Sequence, residues 1–238
     1  PNNAFFAGGV HEDILTNLSR IADLRVISRT SMLRIAEQGL DIREIGEQLN
    51  VSHVLEGSVR RDGDQVRVTV QLIDATNDDH LWADNYDRKL DDIFAIQDEI
   101  SLSIVDNLKV KLLGEERSAI LKRSTEDVKV YDLYLKASHQ FGMATPQGYE
   151  KAMEYTNEAL KIDPKFILGY IGLGGINIMG SFFSNVPPNI GFPKAKEYAE
   201  KALEIDSQSP DAHRILGGVC MFYDWDWEAT EQHHKYAL

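Results

Sequence analysis

The sequence predicts two folds in succession: an α+β amino-terminal domain, with a mixed sheet, an antiparallel meander and flanking helices, and then an all-α run of helical hairpins stacked as a superhelix. Three observations carry that prediction. Period-two alternation runs on both sides of Asp62-Gly63-Asp64, apolar residues recur at helical spacing before and after that segment, and the decapeptide starting at Tyr155 returns at Tyr198 in a region without strand signals.

Taken in order, Ile14, Leu18 and Ile21 form one apolar stripe and predict a helix from His11 to Leu24. Leu24-Arg25-Val26-Ile27-Ser28 is short and β-branched and predicts a strand. Asp41 with Glu44 has capping-box spacing, and Ile42, Ile45 and Leu49 share the face of a short helix behind it. Val54 to Arg61, the Asp-Gly turn, and the alternating Val66, Val68, Val70 and Leu72 predict a hairpin. A third antiparallel strand is expected over His80 to Tyr86. Asp92 is then placed to cap a helix whose Ile93, Ile96, Ile100, Ile104 and Leu108 repeat at helical spacing up to Gly114. The expected domains are 1–114, a helical linker 115–127, and repeats over 128–238.

Composition narrows the function. Acids outnumber bases 38 to 25, for a net charge of −13, which repels phosphate backbones and anionic lipid. Nucleic acid and direct membrane contact are therefore excluded as expectations, and a protein or peptide partner is favoured. The single cysteine, Cys220, excludes an intramolecular disulfide and a thiolate metal cage, and leaves the compartment open between periplasm and cytoplasm. The sequence starts without Met and stops within a predicted helix, as an excised piece of a longer chain would.

The repeat is carried by Tyr155-Thr156-Asn157-Glu158-Ala159-Leu160-Lys161-Ile162-Asp163-Pro164 and Tyr198-Ala199-Glu200-Lys201-Ala202-Leu203-Glu204-Ile205-Asp206-Ser207, with Lys151-Ala152 and Lys194-Ala195 at equal distance before them. Ser184 to Gly191, with two prolines, reads as a loop insertion that lengthens the period. The segment resembles the tetratricopeptide repeat family. Ala137, Ala152, Ala159 and Pro164 match the family's small residues and closing proline in the first unit, with Thr156 where an aromatic is usual. Tyr170, Leu173, Gly174, Ala195 and Ala202 match in the second, with Ser207 replacing the proline, and a third unit begins at Pro210 with Leu216 and Gly217. The resemblance implies a binding or assembly surface. The expected partner-binding residues, on the concave face, are Tyr134, Gln140, Tyr170, Asn177 and His213.

In the first domain, Phe5-Phe6-Ala7-Gly8-Gly9-Val10-His11-Glu12-Asp13, Val54-Leu55-Glu56-Gly57-Ser58-Val59-Arg60-Arg61-Asp62-Gly63, His80-Leu81-Trp82-Ala83 and Tyr86-Asp87-Arg88 together resemble the TolB amino-terminal-like (FlgO-like) domain. In that family the domain precedes tetratricopeptide repeats, in whose company Tyr223-Asp224-Trp225-Asp226-Trp227 is also familiar. The resemblance implies a regulatory or scaffold segment of a bacterial signalling protein whose output domain is a class III adenylate or guanylate cyclase. As alternatives it admits a stand-alone periplasmic envelope assembly factor and the sensor part of a winged-helix transcriptional regulator. The family opens with an apolar strand before the Phe-Ala-Gly segment. Its absence here would leave a sheet edge able to pair with another copy of the chain, as a homodimer.

No catalytic residue, metal ligand or cofactor is expected. Ser58 follows Gly57, but the residues after it, Val59 and Arg60, lack the second glycine of a nucleophile elbow. Gly172-Leu173-Gly174 opens like a dinucleotide fingerprint, but Asn177 replaces its last glycine and no strand precedes it, so close helix packing accounts for these glycines. The seven acids from Asp74 to Asp92 lack the spacing of a calcium loop, and adjacent His233 and His234 diverge by about 100° on a helix. Trp82 and Tyr86 read as core or interface aromatics, and Arg60-Arg61 as a solvated hairpin end.

Overall fold

A computed structural model of the chain describes residues 4–110, 123–183 and 186–237. It divides into two compact units, Pro1–Arg123 and Ser124–Leu238.

The first unit is α+β. Helix α1 spans Ala4–Ser19, and its stripe of Phe6, Val10, Ile14 and Leu18 is buried. The helix starts earlier than its sequence predicts because the i, i+4 stripe reaches back through the glycine pair Gly8-Gly9, whose low helix propensity hides it. It also ends earlier: Ile21 is buried beyond the last turn, where its N–H bonds to the Leu18 carbonyl. Helix α2, Arg29–Ala36, is not anticipated from the sequence; the Ser28 hydroxyl caps it by accepting from Ser31 N–H. Helix α3, Ile42–Leu49, has the expected capping box, Glu44 N–H to Asp41 and Asp41 N–H to Glu44, each at 2.9 Å.

Strands β1 (His53–Asp62), β2 (Gln65–Asp74) and β3 (Asp79–Lys89) form an antiparallel sheet in the order β1-β2-β3. Gly63, at φ +60°, supplies the left-handed residue that the tight β1–β2 turn needs. The expected strand at 24–28 is not part of the sheet. A strand must hand its N–H and C=O groups to a neighbour, and this segment has none there, so the sheet over the described residues is antiparallel rather than mixed.

The sheet has one dry face and one wet face. Val66, Val68, Val70 and Leu72 of β2 are buried on the inner side, which α4 (Ile93–Asn107) covers with fully buried Ile93, Ile96, Ile100 and Ile104, each contributing about 1.5–3 kcal/mol. Outward-facing residues form cross-strand polar pairs: Arg67 with Asp87 at 2.5 Å, Thr69 to Asn85 at 2.8 Å, Gln71 to Glu56 at 2.7 Å. Asp92 does occupy the N-cap position of α4, but its side chain makes no capping bond, because a 3-10 turn over Leu90–Asp92 leads into the helix. The helix stops at Asn107, with Lys109 left-handed at φ +55°, short of the expected Gly114. Most of the expected linker 115–127 lies outside the described residues.

The second unit is a run of antiparallel helix pairs: α5 (Val128–Gly142) with α6 (Pro146–Ile162), α7 (Ile167–Phe183) with α8 (Pro188–Ile205), and α9 (Pro210–Val219) with α10 (Trp227–Tyr236). Ala152, Ala159, Ala195, Ala199 and Ala202 are fully buried, which lets the helices approach closely. The repeated decapeptide also repeats its turn. Asp163 N–H bonds to Ala159 O at 2.9 Å and Asp206 N–H to Ala202 O at 3.0 Å, while each aspartate carboxylate accepts from the N–H two residues on. Ser207 thus replaces Pro164 without changing the turn. The expected loop over Ser184 to Gly191 is shorter, since Pro188 sits at the first position of α8, where its missing N–H costs nothing. A π-helical turn, Cys220–Asp224, follows α9, and left-handed Trp225 leads to Asp226, which caps α10 through Ala229 N–H.

Candidate functional site

In the second unit, α5, α7 and α9 line a cleft of about 550 Å³, to which the π-helical turn adds Met221 and Phe222 and α10 adds His234. That size lies within the range of ligand pockets. Its apolar walls include Phe141, Ile171, Met179 and Phe222, and Tyr134, Arg214 and His234 are its charged or titratable members. Arg214 is held by Asp211 at 2.8 Å.

The floor is shaped by glycine. A Cβ at Gly172 would meet nothing closer than Thr156 at 3.9 Å, and one at Gly175 nothing closer than Phe141 at 4.0 Å. Close packing, the sequence-based account of these glycines, holds at Gly169 and Gly174, where the nearest atoms would lie at 2.9 and 3.1 Å. It does not hold at Gly172 and Gly175, which leave the α7 backbone bare toward the cleft. Nothing in the helix packing requires glycine there.

Beside the cleft lies an exposed aromatic patch. Phe182 meets Phe222 edge-on at 5.2 Å and Phe192 at 5.6 Å, and Phe192 stacks on Tyr223 at 5.3 Å. Phe183 and Trp225 are more than two-thirds exposed, at 68% and 69%. Contiguous exposed aromatics of this kind mark interaction surfaces.

The five residues expected to bind a partner are not brought together. Tyr134 lines the cleft and packs edge-on against Phe166 at 5.7 Å. Gln140 sits half-exposed near the end of α5 and does not border it. The Tyr170 hydroxyl donates to the Pro164 carbonyl at 3.1 Å, clipping α7 to the preceding turn. Asn177 is buried and its amide donates to the Leu173 carbonyl at 2.8 Å, so its side chain presents nothing to a partner. His213 contacts His233, with their Nδ1 atoms 3.0 Å apart, and stacks on Tyr236. Helical periodicity gives the face of a residue but not which of two neighbouring helices that face meets. The cleft residues it missed include Ile171, Gly172, Gly175 and Gly218, and the visible signal is only that α7 is rich in glycine, which does not separate the glycines of the cleft from the packed ones.

The electrostatics of the second unit contain one perturbed histidine and one inert thiol. Burial, then His213, His234 and Lys196, hold the His233 ring below the usual histidine range. Burial pushes the Cys220 thiol up, away from the thiolate that reactivity requires. Among the described residues there is no cluster of three or more His, Cys, Asp or Glu side chains placed to hold a metal ion. None of the helices over those residues is long and apolar enough to cross a membrane.

In the first unit, the outer sheet face carries only a shallow polar depression around Glu56, Ser58, Thr69 and Gln71. Arg61, expected as a solvated hairpin end, instead lies over the Phe6 ring at 5.3 Å. Trp82 is half-buried and Tyr86 buried, opposite Leu72 and Val68 of β2.

Comparison with known proteins bears on both units. Residues 2–103 match the model of the second domain of HilA/YgeH-like transcriptional regulators, a regulator domain where the sequence motifs resembled a TolB-like one. The chain is also 38% identical over 173 residues to a protein of Rhizobium meliloti (strain 1021) named "Putative adenylate cyclase 3". That alignment takes in 73% of this chain and 30% of the relative, so the chain spans less than a third of the protein it matches. By sequence, the chain is thus similar to part of a protein named as a putative adenylate cyclase.

Proposed function

We propose that this chain is a non-catalytic regulatory segment of a bacterial signalling protein, in which a TolB-like domain and tetratricopeptide-type helix pairs modulate an attached class III adenylate or guanylate cyclase. The cleft receives a protein or peptide segment. The observation that carries this reading is the cleft itself: an apolar trough with a glycine floor and an aromatic flank, on a helix whose Gly169, Gly174 and Gly180 are closely packed. The similarity to a protein named as an adenylate cyclase supports the choice of output domain.

The test is made in the full-length protein. Gly175→Trp fills the cleft from its floor, where a new side chain has room to start. Formation of cyclic nucleotide should change at least several-fold while the unfolding midpoint of residues 124–238 holds. Unchanged output from a folded variant refutes the role of the cleft.

A second reading is favoured by the match of residues 2–103 to a transcriptional regulator domain: the same segment serving as sensor for a winged helix. Reading the gene in frame upstream of Pro1 separates the two. An encoded cyclase supports the first, and an encoded winged helix the second.

A further inference from the structure

The third helix pair is joined differently from the first two. Across it, His213 of α9 and His233 of α10 place their Nδ1 atoms 3.0 Å apart, with ring centroids at 5.3 Å. His213 also stacks on Tyr236 at 4.8 Å and 19°. The neighbouring His234 covers Gly217, where an added Cβ would lie 3.0 Å from its ring, and it forms part of the cleft wall.

A neutral imidazole has one N–H and one lone pair. A contact between two Nδ1 atoms is therefore a hydrogen bond only when one of them carries a proton and the other does not. A pair holding two or three ring protons can satisfy that condition. A pair holding four cannot, because both Nδ1 atoms then bear hydrogen and two positive rings meet at the contact. The surroundings do not offset this. Lys196 of α8 faces the pair, with Asp224 of the π-helical turn 3.8 Å from its ammonium. On α10 stand His234 and Lys235, the latter paired with Glu231 at 2.6 Å, and on α9 Arg214 is paired with Asp211. The Tyr236 ring lies flat against His213. A charge on His233 meets burial, His234 and Lys196.

We infer that His213 and His233 form an acid-sensitive clasp, which holds α10 on α9 while at most one of the two rings is charged and lets α10 go when both are. Loosening α10 withdraws His234 from the cleft wall. That consequence rests on the cleft being the binding site; the clasp does not.

The sign follows from linkage. His233 is held below its ordinary value of 6.5 in the folded chain, so the unfolded state takes up the proton first. The stabilisation is present above about pH 6.5 and is lost as the pH falls through the folded value. Within that window each pH unit shifts the opening equilibrium by up to about tenfold.

The test is amide hydrogen exchange by NMR on the 238-residue chain from pH 7.5 to 5.0, corrected for intrinsic exchange chemistry, together with the histidine ring ¹⁵N shifts. Protection of α10 should fall by up to about tenfold per pH unit below 6.5 and level off once the His233 ring takes up its proton in the folded chain, while α6 stays level. His233→Gln, whose amide can still bond His213 without a second charge, should leave α10 with the pH profile of α6. His213→Gln serves the same purpose should the first variant lose α10. Parallel profiles for α10 and α6 in the unmodified chain overturn the clasp, as does an acid-dependent loss that survives in the glutamine variants. Failure of the cleft-filling variant to alter output refutes the cleft and leaves this result standing.

Discussion

Helix α7 carries five glycines, and their neighbours differ. Toward α6, α8 and α9, a Cβ at Gly169, Gly174 or Gly180 would lie 2.9–3.1 Å from Leu160, Ile215 or Val186. Toward the cleft, a Cβ at Gly172 or Gly175 would have 3.9–4.0 Å of room. The same residue type thus serves close approach at the first three positions and an open trough at the other two. Each glycine costs a helix interior about 1 kcal/mol relative to alanine. Packing returns that cost at the first three and leaves it unreturned at the other two, which is why the cleft is the place to examine for function.

The largest effect should come from the packed side. Gly191 of α8 faces α7 so tightly that an added Cβ would lie 2.0 Å from the Ser181 hydroxyl and 2.8 Å from the Asn177 carbonyl. The hydroxyl can rotate away, but the carbonyl belongs to the helix backbone. Gly191→Ala should destabilise the second unit by about 2 kcal/mol, the usual penalty of overpacking, read as a lower denaturant midpoint with unchanged slope. A midpoint at or above that of the parent chain would show that α7 and α8 can separate at little cost.

Asn177 tests the boundary between packing and cleft at smaller amplitude. Its amide donates to Leu173 O within the helix, and its side chain is buried. Asn177→Ala should cost about 1 kcal/mol of stability through the lost bond and packing. Output or partner capture by the folded variant should match the parent, and a specific loss there would return Asn177 to the binding surface.

These outcomes bear on how much could be read from residues alone. The hairpin around Gly63, the capping box at Asp41 and Glu44, the isoleucine stripe of α4 and the doubled turn at Asp163 and Asp206 were all visible, because each is a local pattern with a local cause. Helix α2 is not legible because eight residues, Arg29–Ala36, are too few for an apolar stripe to repeat, and 24–28 reads as a strand although β-branching does not supply a pairing partner. Of the expected binding residues, Tyr134 alone borders the cleft. His213 and Tyr170 are bound to groups on other turns or helices, and such pairings depend on how elements cross, which periodicity does not encode.

The smallest change in stability should carry the most information about function. Gly172→Ala and Gly175→Ala each place a methyl group in ordinary contact at most, 3.9 Å from Thr156 and 4.0 Å from Phe141, so neither meets a clash. Each should stabilise the chain by about 0.4–1 kcal/mol, through helix propensity and a less flexible unfolded chain. The paired variant should then have a higher denaturant midpoint than the parent, opposite in sign to Gly191→Ala. The two methyl groups would also raise the cleft floor along one stripe, since residues at i and i+3 share a face. If the cleft takes a partner whose backbone approaches α7, a more stable chain should show altered output in the full-length protein. If the midpoint rises and output stays the same, the bare backbone between Gly172 and Gly175 is unused, and the binding surface shifts to the aromatic flank around Phe182 and Phe222.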